Sequence, residues 1–455
     1  SFSRRITLDT DLTDSGTRGD ATLAYGTGPL VLGNVTAQDA TISGTGRINA
    51  GGVQDIAGEA SYSANGAQIL LSNSANEFIG KINLEGGAVT LVDATALVLG
   101  SVTVSALDAA ALNGAITDTD GDAIVVSGAT TLTTESADGS ASIVLDGPGN
   151  TFGGLVTLDT DRGNDGDRAD VTLVDNDADL SLGDVTAANA TIRSTGNGGI
   201  AADGGIQAVG GTATYRAGGG DIDLSNAGND FAGTINAGTD AGDGKITITN
   251  TGGVELGDID AGSLMVTALN GAITDDGAGN APGADVNVVG DTMLTATGDI
   301  TLDDDGTNFA AVDASGAAVT LDDEDALVLG SVTATSLVAT AGGAITDVMG
   351  KVLNITGLTT LTATGSDITL DEAHDFAGRV DATGETITLN DVSELGLGTI
   401  DAGVALIATA VSGSITDTAR WRATDDKLRT FSPSTRNRVS LFTRCRAIPI
   451  RWRSS

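Results

Sequence analysis

The sequence predicts an all-β protein, a parallel β-helix solenoid built from about six tandem repeats of 70–80 residues. Three observations carry this. Short markers recur in a constant order along more than 400 residues. Between them run β-branched triplets that alternate apolar and polar residues. Aromatics make up only 3% of the chain while Gly contributes 65 residues, which suits a narrow coil with many corners.

The markers come first, because a missed repeat mis-assigns the whole fold. Gly-Ala-Ile-Thr-Asp stands at 114–118, 271–275 and 343–347, with a Ser variant at 413–417 and a degenerate form at 199–203. Leu-x-Leu-Gly ends at Gly33, Gly100, Gly183, Gly330 and Gly398, and Val254-Glu255-Leu256-Gly257 is its variant. Asn-x-Phe-x-Gly stands at 76–80, 150–154 and 229–233, with a relative beginning at His374 and ending at Gly378. Gly357-Leu358-Thr359-Thr360-Leu361 is echoed at 128–132. Residues 6–42 also match 156–192 at a constant offset of 150.

The strands follow from the triplet Ile/Val-Thr-Leu, found at 89–91, 156–158, 171–173, 300–302, 319–321, 368–370 and 387–389. Its alternation puts Thr on one face and branched aliphatics on the other. Gly, Asn and Asp punctuate these runs as turn residues do. One repeat, 298–365, predicts strands at 300–302, 309–312, 319–321, 327–329, 337–339, 344–346, 352–355 and 360–362. Three strands and three turns per rung would use roughly 24 residues, so a 72-residue step reads as three rungs. The body would then hold about 17 rungs and extend on the order of 80 Å at the inter-strand spacing. Tandem β-sandwich modules of about 75 residues are the alternative. They would require bulky aromatic filling and linkers that the sequence lacks.

The repetitive body spans 1–418, with partial first and last repeats. The formal charge of −39 divides into −47 for this body and +8 for residues 419–455. The tail holds ten of the 22 basic residues, from Arg420 to Arg453, and also Cys445, Trp421 and Trp452. Such a break marks a boundary. The tail reads either as a basic arm for an anionic partner or as a segment foreign to the fold, disordered or produced by a frame shift or truncation. Loss of the repeat past Asp417 favours the second reading. The start lacks an apolar signal segment, so the chain reads as a segment of a longer protein. No apolar run is long enough for a transmembrane helix.

Charge and composition also limit function. So acidic a body would repel nucleic-acid phosphates. One His and one Cys leave little for catalysis built on those residues. Asp118, Asp120 and Asp122 have a 1,3,5 spacing that offers oxygens to calcium, but Ala129 stands where an EF-hand needs Glu. Asp303-Asp304-Asp305-Gly306 and Asp322-Asp323-Glu324-Asp325 are further acidic clusters. They read as solvated turns, with calcium as the competing interpretation. A glycosidase-type carboxylate pair is a third reading, although Lys81, Lys245 and Lys351 are the body's only lysines. His374 stands where other repeats carry Asn76, Asn150 or Asn229, so it reads as a repeat variant. Gly218-Gly219-Gly220 lacks the Lys-Ser/Thr partner of a phosphate loop. The sequence therefore predicts no enzyme and no catalytic, cofactor-binding or metal-ligating residue.

The run Thr-Thr-Leu-Thr-Ala-Thr-Gly-Ser-Asp-Ile-Thr-Leu at 359–370, Leu-Val-Leu-Gly-Ser-Val-Thr-Ala at 327–334, Asn-x-Phe-x-Gly and Gly-Ala-Ile-Thr-Asp together support a family reading. Over about 6–417 the chain resembles the repeat shafts of large secreted bacterial adhesins. These are the filamentous haemagglutinin-like class of two-partner-secretion exoproteins and autotransporter passengers. The resemblance implies a right-handed coil, export to the cell surface through an outer-membrane secretion partner, and a role in attachment or biofilm. The implied partners are glycans or proteins on host or neighbouring cells. A polysaccharide-active β-helix enzyme and a calcium-dependent surface-layer protein are the rival functions.

Overall fold

The structure is a computed structural model. It describes residues 5–417 except 12–15, 27, 120, 136–138, 178, 203, 241, 276–284 and 305, together with the backbone of Arg438–Phe442. The rest of the basic tail, Asp120 and Asp305 lie outside the described residues. Among the described residues every regular element is a strand, and none is a helix. The chain divides into two compact units, Ser1–Val254 and Glu255–Ser455. Each is a parallel β-solenoid, and together they hold about 19 turns.

In the first unit strands pair in parallel from one turn to the next until a column ends. Ile116 faces Ile143, which faces Val171, followed by Ala190, Ala213 and Ile235. These residues are fully or almost fully buried. Alternate residues of the same strands, Thr117, Val144, Thr172, Thr191 and Thr214, form the outward row. The second unit repeats the arrangement with Ile300, Val319, Leu337, Thr359, Val380 and Leu397 in one inward column. The Ile/Val-Thr-Leu triplet thus does what its alternation predicts, because successive side chains of a strand point to opposite faces.

A turn is shorter than expected and the repeat is not a whole number of turns. Seven pairings lead from Leu30 to Leu182, through Ile48, Ile69, Val89, Leu107, Thr130 and Val156. Two repeats therefore span seven turns, about 21 residues each, rather than six turns of 24.

The cause is a fork at the Leu-x-Leu-Gly elements that end at Gly33, Gly100, Gly183 and Gly330. Lys81–Glu85 pairs along both halves of Leu97–Val104, with a register shift between Ile82 and Leu84. The 97–99 half then leads to Ile116–Asp118, and the 102–104 half to Ile124–Val126. One strand has become two. The shift falls beside Gly100, where Asn83 Oδ1 accepts the Ser101 N–H at 2.9 Å. A Cβ on Gly100 would overlap that Asn83 oxygen. Asp313 at Gly330 and Asp381 at Gly398 repeat the device, accepting the N–H groups of Ser331 and Thr399 at 2.5 and 2.6 Å.

Each fork is balanced by a strand that ends. The short strands Glu77–Phe78, Thr151–Phe152 and Asp230–Phe231 stop at the Phe of Asn-x-Phe-x-Gly. Successive forks occupy alternate sides of the coil. Leu99, of the Leu97–Val104 strand, lies in the column of Ala40, Ala60 and Ile82, whereas Leu30 and Leu182 are linked through the other column. This alternation gives a structural period of two repeats, and it accounts for the sequence match at an offset of 150.

Candidate functional site

The structure disperses the acidic clusters. Asp118 Oδ2 accepts the Gly147 N–H at 2.9 Å and the Asn150 side-chain amide at 2.7 Å. Asp122 faces a different pair of groups, Lys81 Nζ at 3.0 Å and Ser101 Oγ at 2.8 Å. Those contacts, Lys81 foremost, hold the Asp122 carboxyl below its ordinary range. In the run 322–325, Asp323 turns inward and is buried, while Glu324 and Asp325 are exposed. Main-chain N–H groups of Asp303 and Asp304 point to Asp275 Oδ2 at 2.6 and 3.1 Å. Among the described residues no three His, Cys, Asp or Glu side chains converge as metal ligands would. Gly218 and Gly220 lie over the backbone of 196–199, where a Cβ would overlap it. They form a stacked corner.

What the structure does bring together is a polar plug at the end of each terminated strand. Asp93 Oδ2 accepts the Phe78 N–H at 2.9 Å. Asp175 does the same for Phe152 at 2.9 Å, Asp323 for Phe309 at 3.1 Å and Asp391 for Phe376 at 3.1 Å. For Phe231, Asn250 Oδ1 replaces the carboxylate, at 2.9 Å from the Phe231 nitrogen. Each of these side chains supplies the acceptor that the next turn's backbone would have supplied. Burial pushes the carboxyls of Asp93, Asp175, Asp323 and Asp391 above their ordinary range, against the opposing pull of their N–H donors.

A second plug precedes the Phe. Asn76 Oδ1 accepts the Gln54 N–H at 2.9 Å, and its Nδ2 donates to the carbonyls of Leu71 and Val92. Asn229 makes the corresponding bonds to Gln207, Leu224 and Thr249. His374 fills the same place in the fifth repeat. Its Nδ1 accepts the Leu353 N–H at 3.1 Å, and its Nε2 lies 2.8 Å from Asp347 Oδ2. The imidazole is fully buried.

The first and third repeats add a buried pair. The Tyr62 hydroxyl donates to Gln54 Oε1 at 3.2 Å, and Tyr215 to Gln207 at 3.3 Å. Each Tyr packs edge-on against the terminating Phe, with ring centroids 6.3 and 6.2 Å apart. The sequence reading missed the Asp plugs and this pair. A signal for the Asp plugs was present: four quoted triplets, at 89–91, 171–173, 319–321 and 387–389, are each followed two residues on by Asp.

Outside, basic residues bridge turns. Arg18 binds Asp55 through two contacts of 2.6 Å, and Lys351 reaches Asp313 at 3.0 Å, 38 residues away. Such half-exposed pairs contribute modestly, about 0.2–1 kcal/mol each. A shallow depression in the first unit is lined by Ser61, Ser63, Asn83, Glu85, Ser101 and Thr103. Some of these polar groups are bonded to one another, as Ser63 Oγ is to Glu85 at 3.0 Å. The described contacts of the plugs are thus with the coil itself, and their chemistry is backbone capping.

Five consecutive segments, 18–85, 86–159, 168–238, 243–315 and 316–383, match the family described as "Repeats of unknown function (DUF5649)". They cover more than three quarters of the chain. No curated protein and no solved structure matches it significantly.

Proposed function

The chain belongs to the DUF5649 repeat family, and on that premise we propose that it is a structural shaft segment of an exported bacterial surface adhesin. In this reading it presents a binding region away from the cell and serves attachment or biofilm formation. One observation carries the proposal. The residues that recur from repeat to repeat (the Asp or Asn plug, the Asn or His plug and the fork Gly) act on the backbone of the coil. Selection of that kind favours repetition of the scaffold itself. The outward rows are Thr-rich and acidic, which keeps neighbouring copies apart by charge.

The polysaccharide-active and calcium-dependent readings require carboxylates that converge. Asp118 and Asp122 instead turn to separate partners.

The test is antibody labelling of the producing bacterium with serum raised against the repeats, paired with an attachment assay on a strain lacking the gene. Labelling of intact cells and weakened attachment are expected. Labelling that appears only after lysis, or unchanged attachment, would overturn the proposal. Release of products from a panel of glycans by the purified chain would replace it with the enzyme reading.

A further inference from the structure

We propose that His374 makes its own turn of the coil acid-labile: protonation of the buried imidazole opens the strand Ile368–Phe376, while turns plugged by Asn stay closed.

The geometry sets which proton can be present. Nδ1 accepts the Leu353 N–H at 3.1 Å, so it carries no proton. Nε2, 2.8 Å from Asp347 Oδ2, is then the donor. Both ring nitrogens are occupied in the neutral form. A second proton would have to enter at Nδ1, where it would point at the Leu353 N–H and turn an acceptor into a donor. The bond would be lost in a site without water access, since the ring is 0% exposed.

Charged groups surround the ring. Asp347 faces it from the strand Ile345–Asp347, and its carboxylate also accepts the Glu372 N–H at 3.0 Å. The neighbouring strand Leu353–Ile355 presents the Leu353 N–H and no charge. From Arg379–Asp391, Asp391 is His374's register partner, and it is already bonded to the Phe376 and Ser393 N–H groups. Asp371, Glu372 and Asp375 lie on the strand of His374 itself. These acids favour a cation, Asp347 most, but burial outweighs them and holds the imidazole below its ordinary 6.5.

The sign of the effect follows. The unfolded chain takes up the proton near pH 6.5 and the folded turn only at lower pH, so the turn loses stability as pH falls between those two points. Linkage limits the change to tenfold in the opening equilibrium per pH unit.

The second repeat provides the control. Asn150 Nδ2 donates to Asp118 Oδ2 at 2.7 Å, the Gly147 N–H donates to the same oxygen, and Asn150 Oδ1 accepts the Ile124 N–H at 3.0 Å. His374→Asn would recreate that arrangement without a titratable ring.

The experiment uses the full chain with labelled histidine, whose spectrum holds one imidazole because the chain has one His. The expected result is the Nε2–H form with a midpoint below 6.5. Amide exchange of 368–376, corrected for its intrinsic pH dependence, should accelerate by up to tenfold per unit below pH 6.5 and lose this excess in H374N. An imidazole that titrates at or above 6.5 would overturn the proposal, as would an H374N chain with the wild-type pH response. Should H374N fail to fold, the wild-type titration decides alone.

Discussion

The carboxylate of Asp93 sits 2.9 Å from the main-chain nitrogen of Phe78, fifteen residues earlier, where a strand that has stacked turn upon turn comes to an end. Asp93 also accepts the Thr95 N–H at 2.8 Å, so one side chain closes the old column and shapes the turn to the next strand. Replacement by Ala would leave the buried Phe78 N–H without an acceptor. We expect a loss of about 1–3 kcal/mol in denaturant unfolding, with the largest rise in amide exchange near residues 76–94.

Replacement by Asn should behave differently. Asn250 already performs the task at Phe231 and donates from Nδ2 to the carbonyls of Phe231 and Gly253. Asp323→Asn should therefore fold at neutral pH with unchanged or greater stability. The pH dependence has a definite sign. Burial raises the folded-state carboxyl above its ordinary 3.8, so the contribution of Asp323 is fully present below that value and is lost as pH rises through the raised one. The difference between wild type and D323N should move across that window. A constant difference would refute the assignment.

Removal of the ring at the end of the column that Asp391 caps should be costly and local. Phe376 is fully buried and lies 5.6 Å from the His374 ring centroid. Phe376→Ala should cost about 3–5 kcal/mol, measured as a shift of the unfolding midpoint with little change in slope.

Three buried Thr side chains point the other way. Thr130, Thr292 and Thr359 each hold an inward position of a strand, and their hydroxyls are buried without a partner. Ala60 and Ala213 hold the comparable inward positions in the first and third repeats. Thr359→Val keeps the shape and removes an unsatisfied hydroxyl. A gain of about 1 kcal/mol is expected, read as a raised Tm. A lowered Tm would mean that the hydroxyl has a partner.

The fork depends on a missing Cβ. Gly100→Ala would drive a methyl into the Asn83 oxygen that holds the Ser101 N–H. Destabilisation of about 1–3 kcal/mol is expected. The double variant with Asn83→Ala should recover part of the clash while still lacking the bond. Equal stability of the single variant and wild type would show that the fork tolerates a side chain.

Much of the fold was legible because its signals are local. Ile300–Leu302 is a strand as the triplet predicts, and 319–321 and 360–362 lie within Ala318–Asp323 and Thr359–Thr362. The place of His374 was legible from the aligned Asn residues alone. The fate of the acidic runs was not. Asp323 and Asp325 look alike in sequence, yet one is buried against Phe309 and the other is exposed. Which carboxylate turns inward depends on the unpaired Phe309 N–H one turn earlier.

The sequence by itself determined that the chain is all-β, that it repeats every 70–80 residues, and which residues of each triplet face inward. Those properties follow from the two-residue period of a strand and from the order of the markers. Only the tertiary structure decided where strands fork and end, that forks alternate between two sides, and that two repeats complete seven turns. Pairing between turns joins residues about 20 apart with no fixed spacing, as the steps from Ala40 to Ala60 and from Ile143 to Val171 show. Loop length absorbs that variation, so the register is set by which backbone groups find partners in space.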